Sequence, residues 1–401
     1  MRSYTSPDSA VKHLQPEHPV VLYRPHALKR AVDTFLNGFK GDVMYAVKTN
    51  PDEHVLKDLW ANGVRRFDAA SLQEVAMVRG MFPDAEIYFM HTVKSRKAIK
   101  EAYFTYGVRH FSLDCQEELH KILNETGFAD DLGLHVRLAI PNTYAELALT
   151  DKFGASQTDA IALLRDVRAV TLSAGVCFHV GSQCMHPDAY RMAIKLAKQV
   201  VKAAAVRIDT FDVGGGFPST YPGMTPPDMS SYFTAIHEAT RDLVRQHGCT
   251  LLAEPGRALV AESGSVLVRV ELRKGDFLYI NDGTYGSLFD AGVPKWLYPC
   301  RLLGRKAATE EMGAFSFYGP TCDTMDFMKG PFMLPADIKE GDYIEVGQLG
   351  AYGRTMATRF NGFALANQTI AVKDEPLMSL YGPSRFEVAE TAETVYQAAI
   401  A

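Results

Sequence analysis

Short β-rich runs alternate with longer amphipathic segments from Val43 to about Gly256. The apolar residues of the longer segments recur every three or four positions, which is the pattern of a helix with one buried face. Eight repeats of this kind favour a closed (β/α)8 TIM-type barrel over an open doubly wound sheet. The predicted strands are 43–48, 65–70, 86–90, 110–114, 133–140, 171–181, 207–213 and 250–256.

The pattern changes after Gly256 to alternating apolar and polar residues with glycine-rich turns, as in 263–283. This alternation predicts an antiparallel β-rich C-terminal domain. The strand-like run 20–24 has no helix before it and is expected to pair with that domain. We therefore predict a barrel over 24–262 and a β-rich domain formed by 1–23 plus 263–401. The acidic tail 386–401 is expected to be a docked helix or a frayed end.

Composition and charge limit the kinds of binding partner that we expect for this protein. The 401 residues carry a formal net charge of −5 without a long run of like charge, so neither nucleic acid nor an anionic membrane is an expected partner. There is no apolar run near the roughly 18 residues of a spanning helix, and the first thirty residues lack a signal-peptide core. The 6 cysteines are scattered without a C-x-x-C pair. We expect a soluble cytoplasmic protein with reduced thiols and no metal site.

Polar residues cluster at the predicted strand ends, where barrel enzymes carry their chemistry. Three consecutive glycines follow strand seven and Arg257 follows strand eight, which indicates a phosphate site made of backbone N–H groups and a guanidinium. The strand-end residues are Lys48, Asp68, Ser71, His91, Arg137, His179, Ser182, Asp212, Gly214, Gly215, Gly216, Glu254 and Arg257.

Lys48 ends an apolar run, where loss of solvation is expected to favour the neutral amine that attacks aldehydes. A lysine, a phosphate site and the carboxylate of Glu254 together match the needs of pyridoxal phosphate. Each feature has an ordinary structural explanation when it is taken alone. A strand-end lysine can be a solvated rim residue, His179 a hydrogen-bonded core histidine, and Asp68 a carboxylate at a helix N-terminus. Their joint placement on one rim favours the functional interpretation.

Eight ordered motifs resemble the pyridoxal-phosphate-dependent decarboxylases of the alanine-racemase-like fold (fold type III), which include ornithine, lysine/ornithine and diaminopimelate decarboxylases. The resemblance covers nearly the whole chain. The motifs are YAVKTNP (45–51), FDAASLQEV (67–75), FHVGSQ (178–183), DVGGGFP (212–218), EPGRALV (254–260), NDGTYGS (281–287), YGPTCDTMD (318–326) and GAYGRTMATRFNGF (350–363).

The resemblance implies a role for each matching residue at the cofactor. Lys48 would be the Schiff-base lysine, Glu254 the partner of the pyridine nitrogen, and His179 a ring stacked on the cofactor. Asp68 and Arg137 would orient the lysine and the ring substituents. The implied phosphate cradle comprises Ser182, Gly214, Gly215, Gly216, Arg257 and Tyr352.

The resemblance also implies a homodimer with shared sites. Cys322 would come from the second subunit to reprotonate Cα, and Asp323 would face the distal amine of the substrate. Lys152 and Asp326 would form an ion pair across the interface, and Phe360 would pack near the cofactor.

Substrate choice follows from the far end of the pocket. Asp323 stands where diaminopimelate decarboxylases have a glutamate, which favours a diamine product. Asp290 is the candidate for a second acid, although its segment is shorter than in ornithine decarboxylases. Ornithine, giving putrescine, is the first expectation and lysine, giving cadaverine, the second. The alternatives are decarboxylation of diaminopimelate or a specialised amino acid, an alanine-racemase-like racemase, and a non-enzymatic regulatory homologue.

Overall fold

The computed structural model describes residues 1–141, 143–147, 152–363 and 365–386. The strands are β1 (Ser3–Tyr4), β2 (Val20–Tyr23), β3 (Asp42–Ala46), β4 (Arg66–Ala69), β5 (Glu86–Phe89), β6 (His110–Leu113), β7 (Gly133–Arg137), β8 (Ala145–Leu147), β9 (Ser173–Cys177), β10 (Ser182–Cys184), β11 (Thr210–Asp212), β12 (Thr250–Ala253), β13 (Gly264–Lys274), β14 (Phe277–Ile280), β15 (Cys300–Leu303), β16 (Met312–Tyr318), β17 (Phe327–Pro335), β18 (Tyr343–Val346) and β19 (Gln368–Val372).

The helices are α1 (Pro7–Leu14), α2 (Pro25–Gly38), α3 (Glu53–Ala61), α4 (Leu72–Met81), α5 (Arg96–Phe104), α6 (Gln116–Glu125), α7 (Gln157–Val170), α8 (Asp188–Ala204), α9 (Met229–His247), α10 (Arg257–Val260) and α11 (Phe289–Gly292). Ser71 caps α4, since its side chain accepts a hydrogen bond from the N–H of Glu74. This strand-end serine therefore starts a helix. Among the residues that the structure describes, none of the helices has both the length and the apolar composition needed to cross a membrane.

Eight parallel strands close into a barrel in the order β11-β12-β3-β4-β5-β6-β7-β9. All eight predicted strands are confirmed, although several are shorter than predicted. The run 171–181 pairs only over Ser173–Cys177, and the run 43–48 ends at Ala46 and continues as a short 3-10 turn, Val47–Thr49. The residues that follow the paired part of each run leave the barrel wall and form loops at its carboxyl end.

The second unit is a mainly antiparallel nine-stranded sheet in the order β1-β19-β2-β13-β14-β16-β17, with β15 and β18 joined to it through β13. As predicted, the opening strand β2 belongs to this sheet, where it pairs with β13 and β19. A two-stranded ribbon of β8 and β10, which was not predicted, follows the carboxyl ends of β7 and β9. The predicted tail helix lies outside the described residues from 387 onward.

A buried ion-pair network joins the barrel to the sheet. Arg24, which precedes α2, is buried and donates to Glu345 of β18 at 2.6 Å and to Ser265 of β13 at 2.8 Å. Burial alone would raise the pKa of Glu345, but Arg24 and Arg301 lower it to about 2. Glu345 is therefore a charged group at the junction of the two units.

Candidate active site

The carboxyl ends of the barrel strands bring most of the predicted cofactor residues to one pocket. Most of them lie in the loops that begin where strand pairing ends, whereas Tyr352 follows β18 of the sheet. Of the predicted residues, those that line this pocket are Lys48, His179, Ser182, Gly215, Gly216, Glu254, Arg257 and Tyr352.

Lys48 lies at the centre of this set. Its Nζ is 2.8 Å from Oδ2 of buried Asp68, while 41% of the Lys48 side chain remains exposed. Desolvation lowers the pKa of Lys48, but attraction to Asp68, Tyr352 and Glu254 outweighs it and the net pKa is raised. The neutral amine expected from the apolar run is therefore wrong for the lysine in this structure. Asp68 holds it as a cation.

Glu254 and Asp212 form a buried acid pair behind the lysine. Burial, then the charges of Asp212 and Asp68, raise the pKa of Glu254 well above its usual range. Burial also raises the pKa of Asp212, to about 6, although Glu254 and the Gly214 N–H donate hydrogen bonds to it. Both carboxyl groups are therefore harder to ionise than exposed ones, and burial is the main cause. Asp212 received no role from the sequence, although it opens the DVGGGFP motif.

His179 follows β9 and faces the same pocket. Its Nδ1 accepts a hydrogen bond from the Gly181 N–H at 3.0 Å. Desolvation, with the charges of Arg137 and Lys48, lowers the pKa of His179 to about 3. The imidazole is therefore neutral across the physiological range, which suits a ring that stacks on an aromatic cofactor.

The three glycines after β11 form a close backbone turn. Gly214 has a φ of +67° and Gly216 a φ of +101°, which L residues rarely adopt. A Cβ on Gly214 would overlap the carbonyl oxygen of Phe178, and one on Gly216 would overlap that of Gly181. Only glycine fits both positions. The turn leaves backbone on the pocket wall without side chains, as an anion cradle requires.

Arg257 completes this cradle from the start of α10. The buried guanidinium donates through Nη1 to Tyr221 at 2.9 Å and through Nη2 to Ser182 at 3.4 Å. It lies 4.9 Å from the ring centre of Tyr352 and 4.4 Å from that of Trp296. Tyr221 and Trp296 were missed by the sequence analysis. No local signal could have found them, because Tyr221 and Trp296 lie 36 and 39 residues from Arg257 in the chain.

The residues present fit pyridoxal phosphate. Buried Oδ1 of Asp68 and Nε of Arg257 have no hydrogen-bonding partner among the described residues. A protonated ring nitrogen suits the excess of carboxylates, and a phosphate suits the free donor of Arg257 beside the glycine turn. Lys48, Glu254, His179 and the cradle would hold the cofactor.

Cys322 and Asp323 do not line this pocket. Cys322 is exposed, and its Sγ lies 3.4 Å from Oδ1 of Asn361. The Tyr285 hydroxyl donates to Asp323 at 2.5 Å. Phe360 is also exposed, with its ring 4.9 Å from that of Tyr285. These residues form a separate surface on the β-rich unit.

Three further predicted residues have other surroundings. Asp326 is buried and accepts hydrogen bonds from Thr284 and Thr321, so its carboxylate is already bound within the chain. Lys152 has its Nζ 5.1 Å from the ring centre of Phe153. Asp290, expected to face the substrate amine, is buried with Oδ2 3.6 Å from Nη2 of Arg257. The structure therefore places Asp290 beside the arginine that was predicted to bind the phosphate.

Residues 26–261 match the family model described as the pyridoxal-dependent decarboxylase, pyridoxal binding domain. The chain belongs to this family. The pyridoxal-dependent decarboxylase fold and cofactor expected from the motifs are thereby confirmed, and the chain is a pyridoxal-phosphate-dependent lyase.

Relatives of this decarboxylase span most of its length. The lysine/ornithine decarboxylase of Selenomonas ruminantium is 31% identical over 84% of this chain and 85% of the relative. The structure of a lysine/ornithine decarboxylase from Vibrio vulnificus complexed with putrescine aligns with a TM-score of 0.78 at 29% identity, covering 90% of this chain and 96% of that one. The structure of the arginine decarboxylase of Paramecium bursaria Chlorella virus bound to agmatine aligns with a TM-score of 0.80 at 27% identity. This alignment covers 91% of this chain and 98% of that one.

Proposed function

We propose that this decarboxylase acts on ornithine to form putrescine, as a homodimer in which each subunit completes the other's site. Lysine is the second candidate substrate. The observation that carries the proposal is the separation of two functional sets on one chain. The cofactor residues line a barrel pocket, whereas Cys322 and Asp323 lie together on an exposed surface outside it.

In the proposed reaction, each of the site residues has a separate role. Bound pyridoxal phosphate supplies the electron sink that makes loss of CO2 feasible. Lys48 holds the cofactor, Glu254 keeps a proton at the pyridine nitrogen, and His179 covers the ring. Cys322 from the second subunit delivers a proton to Cα after the bond to the carboxylate carbon has broken. The products are CO2 and the amine.

Asp323 supports a substrate with a distal ammonium group. Hydrogen bonds from the Met325 N–H and the Tyr285 hydroxyl lower the pKa of Asp323, so the carboxylate is anionic at neutral pH. A fixed anion selects an ammonium and disfavours a carboxylate at the far end of the side chain. The putrescine and agmatine bound by the two similar structures also carry a distal cationic group.

The exposed surface around Cys322 supports the dimer. Met325, Phe360 and Phe363 are exposed there despite their apolar side chains. Apolar residues gathered beside functional groups are typical of a protein interface. All six cysteines are free thiols in the structure, which supports our proposal that the enzyme works in the reducing cytoplasm.

Product analysis tests the reaction. The protein is incubated with pyridoxal phosphate and, separately, with ornithine, lysine, arginine and diaminopimelate, and the amines and CO2 are measured. The proposal expects putrescine from ornithine at the highest kcat/KM, followed by cadaverine from lysine. Racemised amino acid without CO2 would favour a racemase. A colourless protein that binds no pyridoxal phosphate would favour a non-enzymatic regulator.

Mixed dimers test the shared site. Lys48→Ala and Cys322→Ala are each expected to form almost no amine alone. Mixed in equal amounts and allowed to exchange subunits, they should recover about a quarter of wild-type activity, because half of the dimers have one intact site of two. Failure of exchanged subunits to regain activity would contradict sites built from two chains.

A further inference from the structure

We propose that Asp290 is a positioning residue for Arg257, and that through this contact the β-rich unit controls affinity for the phosphate of the cofactor. The inference rests on the proposed function, since it assigns Arg257 to the phosphate. It also gives Asp290 a role different from the substrate contact expected from the sequence.

The guanidinium of Arg257 is enclosed mainly by residues from outside the barrel wall. Trp296 and Tyr352 lie 4.4 and 4.9 Å from it, and both belong to the chain after the last barrel strand. The Tyr221 hydroxyl accepts from Nη1. Arg257 Nε has no hydrogen-bonding partner among the described residues, which leaves a donor for an anion.

Among the described residues, Asp290 is the carboxylate that lies within ion-pair distance of this guanidinium, with 3.6 Å between Oδ2 and Nη2. The Asp290 side chain is only 9% exposed. The Trp296 N–H donates to the Asp290 carbonyl at 2.9 Å, so one turn of chain supplies both the carboxylate and the aromatic wall. Asp290 and Trp296 thus act on Arg257 as a single segment.

The electrostatics favour positioning over substrate binding. A buried carboxylate beside a guanidinium has most of its charge compensated, so it has little left to attract a substrate ammonium. A planar guanidinium gains its anion affinity from a fixed orientation of its donors. Loss of the Asp290 charge should therefore reduce the contribution of the phosphate to binding and leave the contacts to the ring unchanged.

Comparison of two ligands isolates this effect. Apoenzyme is titrated with pyridoxal phosphate and with pyridoxal, which lacks the phosphate, and the dissociation constants are measured from visible absorbance. We expect Asp290→Asn to raise the dissociation constant of pyridoxal phosphate about tenfold, which is typical of the loss of one coupled polar contact. The dissociation constant of pyridoxal should not change. Asp276→Asn removes the same charge from an exposed turn and should change neither constant.

Two further variants make the assignment specific. Asp290→Glu keeps the charge and should restore most of the phosphate preference. In an Arg257→Met background, Asp290→Asn should have no further effect, because the group it positions is gone. Trp296→Leu removes the other part of the same segment and provides the same two-ligand comparison if Asp290→Asn does not fold.

Other outcomes would overturn the inference. An equal rise in the dissociation constants of both ligands would indicate general damage to the pocket. If the preference for pyridoxal phosphate over pyridoxal stayed the same and the KM for ornithine rose, Asp290 would be a substrate-binding residue instead. If the wild-type apoenzyme bound neither ligand, the proposed function itself would fail, and that result is distinct from a failure confined to the variants.

Discussion

At the residue scale, the acid pair of Glu254 and Asp212 has the clearest chemical consequence. On the proposed function, Glu254→Ala removes the group that holds a proton at the ring nitrogen, a role exerted mainly in the transition state. We expect kcat to fall by at least about 100-fold while KM changes by less than about threefold. Steady-state kinetics with ornithine measure both. A raised KM at unchanged kcat would mean that Glu254 only assists binding.

Cys322 is predicted to protonate Cα without contributing to cofactor binding. Cys322→Ala should therefore lower the amount of amine formed per CO2 released, while the dissociation constant of pyridoxal phosphate stays at the wild-type value. Cys115→Ala, a change at another partly accessible thiol, is the control. Wild-type amine yield in Cys322→Ala would remove this cysteine from the mechanism.

At the scale of the elements, local pattern was sufficient for the barrel but not for contacts between distant segments. All eight strands could be located because strand and helix periods differ. The charge state of Lys48 could not, because its partner Asp68 lies on the next strand and an apolar run gives no sign of it. The contact between Asp290 and Arg257 joins two structural units. It could not be predicted, because a local sequence motif does not indicate which distant residues lie close together.

The glycine turn after β11 gives a prediction for one element. Gly214→Ala should weaken the binding of pyridoxal phosphate at least about tenfold, because the added methyl group overlaps the Phe178 carbonyl and deforms the cradle. Gly223→Ala is a matched control, since Gly223 also has positive φ but no atom lies within 4 Å of its added Cβ. Titration of both apoenzymes measures the difference. Equal weakening would show that backbone strain, not the overlap, is responsible.

At the scale of the whole molecule, the Arg24–Glu345 contact predicts a dependence of stability on pH. The pKa of Glu345 is about 2 in the folded protein, below the roughly 4.3 of an unfolded glutamate. The unfolded state therefore binds the proton first, and this contribution to stability is present above about pH 4.3 and lost as pH falls towards 2. Its size is on the order of 3 kcal/mol, since each pKa unit corresponds to about 1.4 kcal/mol.

Unfolding by urea between pH 3 and 7 measures this contribution. Glu345→Gln should be less stable at pH 7, because Arg24 loses its buried partner, and its stability should fall less steeply below pH 4.3 than that of the wild type. Glu340→Gln, at an exposed site, is the control. Parallel pH profiles for all three proteins would mean that Glu345 does not join the barrel and sheet as described.

The central claim is that Lys48 binds the aldehyde of pyridoxal phosphate at the mouth of the barrel. Holoenzyme is treated with borohydride, digested, and mapped by mass spectrometry for lysines that carry the reduced cofactor. The account predicts one modified peptide, containing Lys48, and its absence from Lys48→Ala together with the visible absorbance of the holoenzyme. Modification at another lysine, or a Lys48→Ala spectrum like that of the wild type, would contradict it.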